Sequence, residues 1–174
     1  MKPKIAILMG SDSDLKTMKD AAEVLEQFGV EYKIAVLSAH RTPQEAAVFA
    51  EKAHQEFEAV ICGAGMAAHL AGAIAARTHL PVIGVPLASG ALNGTDALYA
   101  TVQMPPGIPV ATVGIDNAKN AGLLAVSILA RKFPEIEQKL LEYRKKQSQK
   151  TLEKAALLET KGWKQFLEEQ QKKG

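Results

Sequence analysis

The chain has 174 residues, 47% of them apolar and 5% aromatic, with 21 basic against 19 acidic side chains; this fits one domain with a buried core plus an appendage. The charge is uneven: residues 131–174 hold 12 basic and 7 acidic residues, leaving 9 and 12 in residues 1–130, and the interspersed acids and scarce aromatics argue for a solvated helix face rather than a nucleic-acid arm. One cysteine, Cys62, excludes an intrachain disulfide framework and suits a reducing, cytoplasmic setting, and no apolar run has the length of a membrane span.

The first apolar run, Lys4 to Met9, predicts a buried parallel strand; it is too short for a signal peptide and ends in Gly10-Ser11-Asp12 rather than a cleavage site. The same kind of Val- and Ile-rich run recurs at Tyr32 to Leu37, Ala59 to Gly63, Pro81 to Pro86 and Pro109 to Gly114, and each is predicted to be a buried strand. Helical patterns lie between them. Leu15, Met18, Ala22 and Leu25 lead to Gly29, Pro43 opens a run through His54, and Ala67 to Thr78, Leu92 to Gln103 and Asn117 to Phe133 follow. Five strand-helix units predict a doubly wound α/β sandwich over residues 1–133. From Pro134 the composition turns to Glu, Lys, Gln and Leu, which predicts a helical extension over residues 134–174, broken near Gly162. Its apolar stripe needs cover, and a neighbouring subunit is the expected place.

Ligands in open α/β sheets bind beyond the carboxyl ends of the strands. After the first strand stands Gly10-Ser11-Asp12-Ser13-Asp14, where glycine, free helix-start N–H groups and serine hydroxyls suit a phosphate; Ser and Asp are also ordinary helix caps. After the second stands Ser38-Ala39-His40-Arg41-Thr42-Pro43, with a guanidinium whose planar fork matches a phosphate and an imidazole able to take and return a proton. After the third, Gly63-Ala64-Gly65-Met66-Ala67-Ala68-His69-Leu70 matches a dinucleotide fingerprint superficially. That fingerprint belongs after the first strand and wants an acid about 20 residues on, where this chain has Val82-Ile83-Gly84-Val85. Small residues here instead let the backbone and His69 approach a flat ligand. A signalling receiver domain shares the outline but needs an aspartate after the third strand, which Gly63-Ala64-Gly65 does not supply. The loops Pro86 to Gly94 and Gln103 to Gly107 are turn-rich and suit lids or intersubunit contacts. His40, His54, His69 and His79 fall in separate elements without zinc spacing, so no metal is expected.

Taken together, Met9 to Asp14, Ser38 to Pro43, Ala67 to Leu70, Ala91 to Gly94 and Val102 to Pro105 closely resemble the PurE family, in order and in register over about residues 4 to 130. The resemblance implies a flavodoxin-like three-layer αβα sandwich with a parallel five-stranded sheet, assembled as a homo-octamer with intersubunit active sites and using no cofactor or metal. It implies a ribonucleotide substrate, N5-carboxyaminoimidazole ribonucleotide, converted to 4-carboxy-5-aminoimidazole ribonucleotide in purine biosynthesis. His40 would be the acid/base; Ser11, Asp14 and Arg41, with Ser38 assisting, would hold the phosphoribosyl part. Gly63, Gly65, Ala67 and His69 would line the base and carboxylate pocket. A second branch of the family carboxylates aminoimidazole ribonucleotide (AIR) with CO2 directly and typically has lysine after the histidine; Arg41 and His69 favour the mutase branch. The alternatives are that direct carboxylase and a non-catalytic ribonucleotide-binding module. Met66 stands where the family usually has glycine and Ala71 where it has proline.

Overall fold

The computed structural model describes residues 2–171. Its elements run β1 (Lys4–Met9), α1 (Leu15–Phe28), β2 (Glu31–Val36), α2 (Pro43–Lys52), β3 (Ala59–Gly65), α3 (Leu70–Ala75), β4 (Val82–Leu87), α4 (Thr95–Val102), β5 (Ala111–Thr112), α5 (Ala118–Leu129) and α6 (Pro134–Gln171). All neighbouring strands pair in parallel, in the order β2-β1-β3-β4-β5, which is the flavodoxin-like winding.

Apolar runs become strands here because both faces of the sheet are covered. Along β1, Ile5, Ile7 and Met9 point into a core shared with α1, α5 and the start of α6, while Ala6 and Leu8 point into a second core under α2 and α3. The result is three layers, helices on either side of one sheet. Small residues set the helix spacing: a Cβ on Gly122 of α5 would fall 2.9 Å from the Val24 Cβ of α1. Phe28 ends α1 because Gly29 takes the left-handed conformation (φ +72°), from which its N–H reaches back to the Glu26 and Leu25 carbonyls.

Two strands differ from the sequence expectation. β2 is not buried: it is the sheet's edge strand, and Ile34 and Val36 are exposed. β5 shrinks to Ala111–Thr112 and is half-exposed, although Val113 N still donates to Gly84 O at 3.0 Å. Apolar content announces a strand but not its place in the sheet, and an edge position leaves one side open.

The extension is one long helix interrupted at Gly162 (φ +72°). Its first turns belong to the sandwich. Ile136 and Leu140 are 3% and 9% exposed in the α1–α5 core, Lys139 Nζ donates to Phe28 O at 2.8 Å, and the Tyr143 ring lies 5.6 Å from that of Phe28. Beyond Tyr143 the helix leaves the body, and Leu152, Leu157, Leu158, Trp163 and Leu167 are all exposed. None of the described helices is long and apolar enough to cross a membrane.

Candidate active site

The carboxyl ends of β1, β2 and β3 surround a cleft of about 370 Å³. Its first wall is the β1–α1 turn. Ser11 N donates to the Asp14 carboxylate at 3.0 Å, and Ser13 Oγ donates to Ser11 Oγ at 3.0 Å, so this short turn presents a cluster of hydroxyls beside one carboxylate. Burial lifts the Asp14 carboxyl above its ordinary range, while bonds from Ser11 and Ser13 and the nearby Arg41 charge pull it down. Because its folded value is raised, ionised Asp14 opposes folding; that opposition fades as pH falls through the folded value and is gone below the unfolded one. Carrying such a cost at a cleft is the pattern expected of a functional group.

The second wall is the β2–α2 turn. Ser38 is buried, its Oγ accepting from Arg41 N at 3.1 Å and from His40 N at 3.4 Å. Arg41 reaches across to donate to the Gly10 carbonyl, which ties the two walls together. The third wall is the segment after β3, where Gly65, Met66, Ala67 and His69 line the cleft. Here His69 Nδ1 lies 2.8 Å from His40 Nε2, with the rings edge-on at 4.8 Å and 78°. At that distance one nitrogen must carry the proton and the other must present its lone pair. Two imidazoles separated by 29 positions in the chain thus form one proton-bearing unit.

Ser11, Asp14, Ser38, His40, Arg41, Gly65, Ala67 and His69 therefore all line one cleft. Gly63 does not. It is buried inside β3, where an added Cβ would fall 2.3 Å from Met18 Sδ, so it makes room for the α1 core rather than for a ligand. Two residues further along, Gly65 has cleared the helix and serves the cleft: its missing Cβ would lie 2.0 Å from Ser89 Oγ.

Ser89 is a lining residue that the sequence reading did not single out. It follows β4, so the strand-end rule points to it, but the turn chemistry of its loop hides it among other small residues. Asp116 is another. It clips that loop from outside, its N–H donating to Pro86 O and its carboxylate accepting from Ala88 N, both at 2.9 Å, and it does so at φ +55°. Met66 also has a positive φ, +52°, the conformation in which glycine is unstrained, which gives a physical reason for the glycine that the resemblance leads us to expect there. Its side chain is 58% exposed and lies against Gly90, at the rim between the third wall and the β4–α4 loop.

Strand order and cleft define a flavodoxin-like fold whose strand-end cleft has hydroxyls, one carboxylate and a guanidinium on one side and a paired imidazole on the other. Among the described residues, no group of three or more His, Cys, Asp or Glu side chains is arranged to hold a metal ion. A family model described as AIR carboxylase matches residues 4–150. The chain is 59% identical over 169 residues to the N5-carboxyaminoimidazole ribonucleotide mutase of Pyrococcus horikoshii, covering 97% of this chain and 96% of that one. It is 54% identical to the protein of the same name from Thermotoga maritima, over 97% and 99% of the two chains. The crystal structure of Treponema denticola PurE superposes with a TM-score of 0.83 at 31% identity, over 90% of this chain and 99% of that one. The chain belongs to the AIR carboxylase (PurE) family.

Proposed function

We propose that this protein is an N5-carboxyaminoimidazole ribonucleotide mutase, which moves a carboxyl group from the exocyclic nitrogen of an aminoimidazole ribonucleotide to a ring carbon. The relatives that share more than half its residues over nearly their whole length carry that name. The observation that carries the assignment to this cleft is the 2.8 Å imidazole pair facing the Ser11, Asp14 and Arg41 cradle.

The chemistry follows from the substrate. The carbamate N–C bond breaks, CO2 leaves, and the nitrogen takes a proton from His40, giving the free aminoimidazole. That ring carbon is enamine-like, so it attacks CO2 and forms the new C–C bond. The carbon now bears both carboxylate and hydrogen, and His40 removes the hydrogen as aromaticity returns. One proton is given and one taken back, so no net redox change or co-reactant enters. His69 holds the His40 ring by the shared hydrogen bond, and the small residues Gly65 and Ala67 leave room for CO2 beside it. Arg41, Ser11 and Asp14 hold the phosphoribosyl part, the guanidinium by parallel charge-assisted hydrogen bonds to the phosphate.

Carboxyl-labelled carbamate, supplied with a large excess of unlabelled bicarbonate, tests this directly. The label is expected to be retained in the product, because the CO2 is recaptured before it leaves. Dilution to the level of the bicarbonate pool would instead assign the chain to direct carboxylation. A non-catalytic binding module would form no product at all.

We infer further that the chain works as a homo-octamer in the cytoplasm. The exposed apolar side chains of α6, with Trp163 at 67% and Leu152 at 62% exposure, support burial against other copies. The lone, buried Cys62 suits a reducing compartment.

A further inference from the structure

The turn that carries His40 and Arg41 is closed by a hydroxyl with no part in the chemistry above. Ser38 N donates to Thr42 Oγ1 at 2.9 Å, the same hydroxyl donates to Ser38 O at 3.1 Å, and Thr42 N donates to that oxygen at 2.9 Å. Inside this ring the Ser38 hydroxyl accepts the N–H groups of His40 and Arg41.

The position makes the arrangement unusual. Thr42 is the residue that caps α2, where a threonine oxygen ordinarily accepts from an N–H two or three residues further on. This one makes no such bond and turns back to Ser38 instead. Its single O–H is committed to the Ser38 carbonyl, so it has no donor left for a ligand. Helix capping and substrate binding are therefore both poor explanations of the hydroxyl. Holding the turn is the one that remains.

We propose that Thr42 is a positioning residue, whose hydroxyl fixes the Ser38–Thr42 turn so that the His40 imidazole and the Arg41 guanidinium enter the cleft at the separation turnover requires. This rests on the mutase assignment above. Thr42 does not line the main cleft; it borders an adjoining recess that shares Gly10, Ser11, Ser38 and Arg41 with that cleft. Its influence on the reacting atoms thus passes through the two side chains that its turn presents.

Thr42→Val keeps the shape and removes the hydroxyl; Thr42→Ser keeps the hydroxyl. A displacement near 1 Å of a reacting group costs on the order of 100-fold, so kcat for Thr42→Val is expected to fall about 10- to 100-fold. Thr42→Ser is expected to restore most of it. Should Thr42→Val not fold, Thr42→Cys, with a weaker donor, reads the same axis and is expected to lose part of kcat. An unchanged kcat in the folded variant overturns the proposal. So does a Thr42→Ser variant as impaired as Thr42→Val, because the loss would then come from the methyl group. A silent unmodified chain in the same assay would instead defeat the mutase assignment. The inference is then decided by the ring-nitrogen resonances of His40 and His69, expected to move in Thr42→Val and not in Thr42→Ser; unmoved resonances in both overturn it.

Discussion

His40→Asn is expected to abolish turnover, lowering kcat by about 1,000-fold or more, while the affinity for the ribonucleotide changes only a few-fold. Proton transfer by a positioned side chain is worth about 100- to 10,000-fold, and His40 is asked to act in both halves of the reaction. Asparagine preserves a polar group of similar reach beside His69 but cannot exchange a proton near neutral pH. The cradle of Ser11, Asp14 and Arg41 is untouched by the change, so binding survives. Steady-state turnover and titration calorimetry on the same preparation separate the two effects. Residual activity above a tenth of the unmodified level would remove His40 from the proton-carrying role.

The second large effect is expected at the start of α6, and it differs sharply between two nearby cut points. Ending the chain after Phe133 deletes Ile136 and Leu140, whose burial contributes roughly 1.5–3 kcal/mol each. Set against a typical total of roughly 5–15 kcal/mol, a combined loss of about 3–6 kcal/mol takes a large share of the stability and is expected to lower the thermal transition markedly. It also removes the Lys139 bond to Phe28 and the Tyr143–Phe28 ring contact. Ending the chain after Arg144 keeps all of these and removes the exposed helix. That shorter protein is expected to stay folded and to lose its assembly, read as a fall in mass by light scattering with a retained thermal transition. An unshifted thermal transition in the Phe133 truncation, or an unchanged mass in the Arg144 truncation, would contradict the division. We accordingly infer that the structural boundary lies after Tyr143, about ten residues beyond the compositional break at Pro134.

Much of this molecule is legible before any coordinates. Apolar runs such as Ala59 to Gly63 have few alternatives in a chain whose intervening segments are helical, and parallel winding then brings every strand's carboxyl end to one edge. That is why Ser11, His40 and His69, far apart in sequence, meet in one cleft. The unread parts share a cause. Whether Tyr32 to Leu37 lies inside the sheet or at its edge depends on strand order, which periodicity does not encode. Gly63 and Gly65 look alike in sequence, yet two residues along β3 separate a position under Met18 from one opening to Ser89. Asp116 reaches Pro86 and Ala88, next to Ser89, because the β5–α5 connection folds over the end of β4. The role of Ile136 and Leu140 was obscured because the composition changes at Pro134 while the core does not end there.

Met66 and Asp116 share one physical character. Both are non-glycine residues held at positive φ, a conformation that costs roughly 1–2 kcal/mol. Asp116 offsets that cost with two hydrogen bonds to the end of β4 and its following loop; Met66 accepts one at its carbonyl, from Ala68 N at 2.9 Å, and its side chain lies against Gly90. The polar set of the cleft is complete around them, which is why activity is expected despite the substitution at Met66.

The most direct test of the central claim is product formation from purified N5-carboxyaminoimidazole ribonucleotide in buffer stripped of bicarbonate. If the cleft moves the substrate's own carboxyl group, with His40 as the proton carrier, 4-carboxy-5-aminoimidazole ribonucleotide accumulates at a rate that added bicarbonate does not raise. Product that appears only from AIR at high bicarbonate, and not from the carbamate, would contradict it.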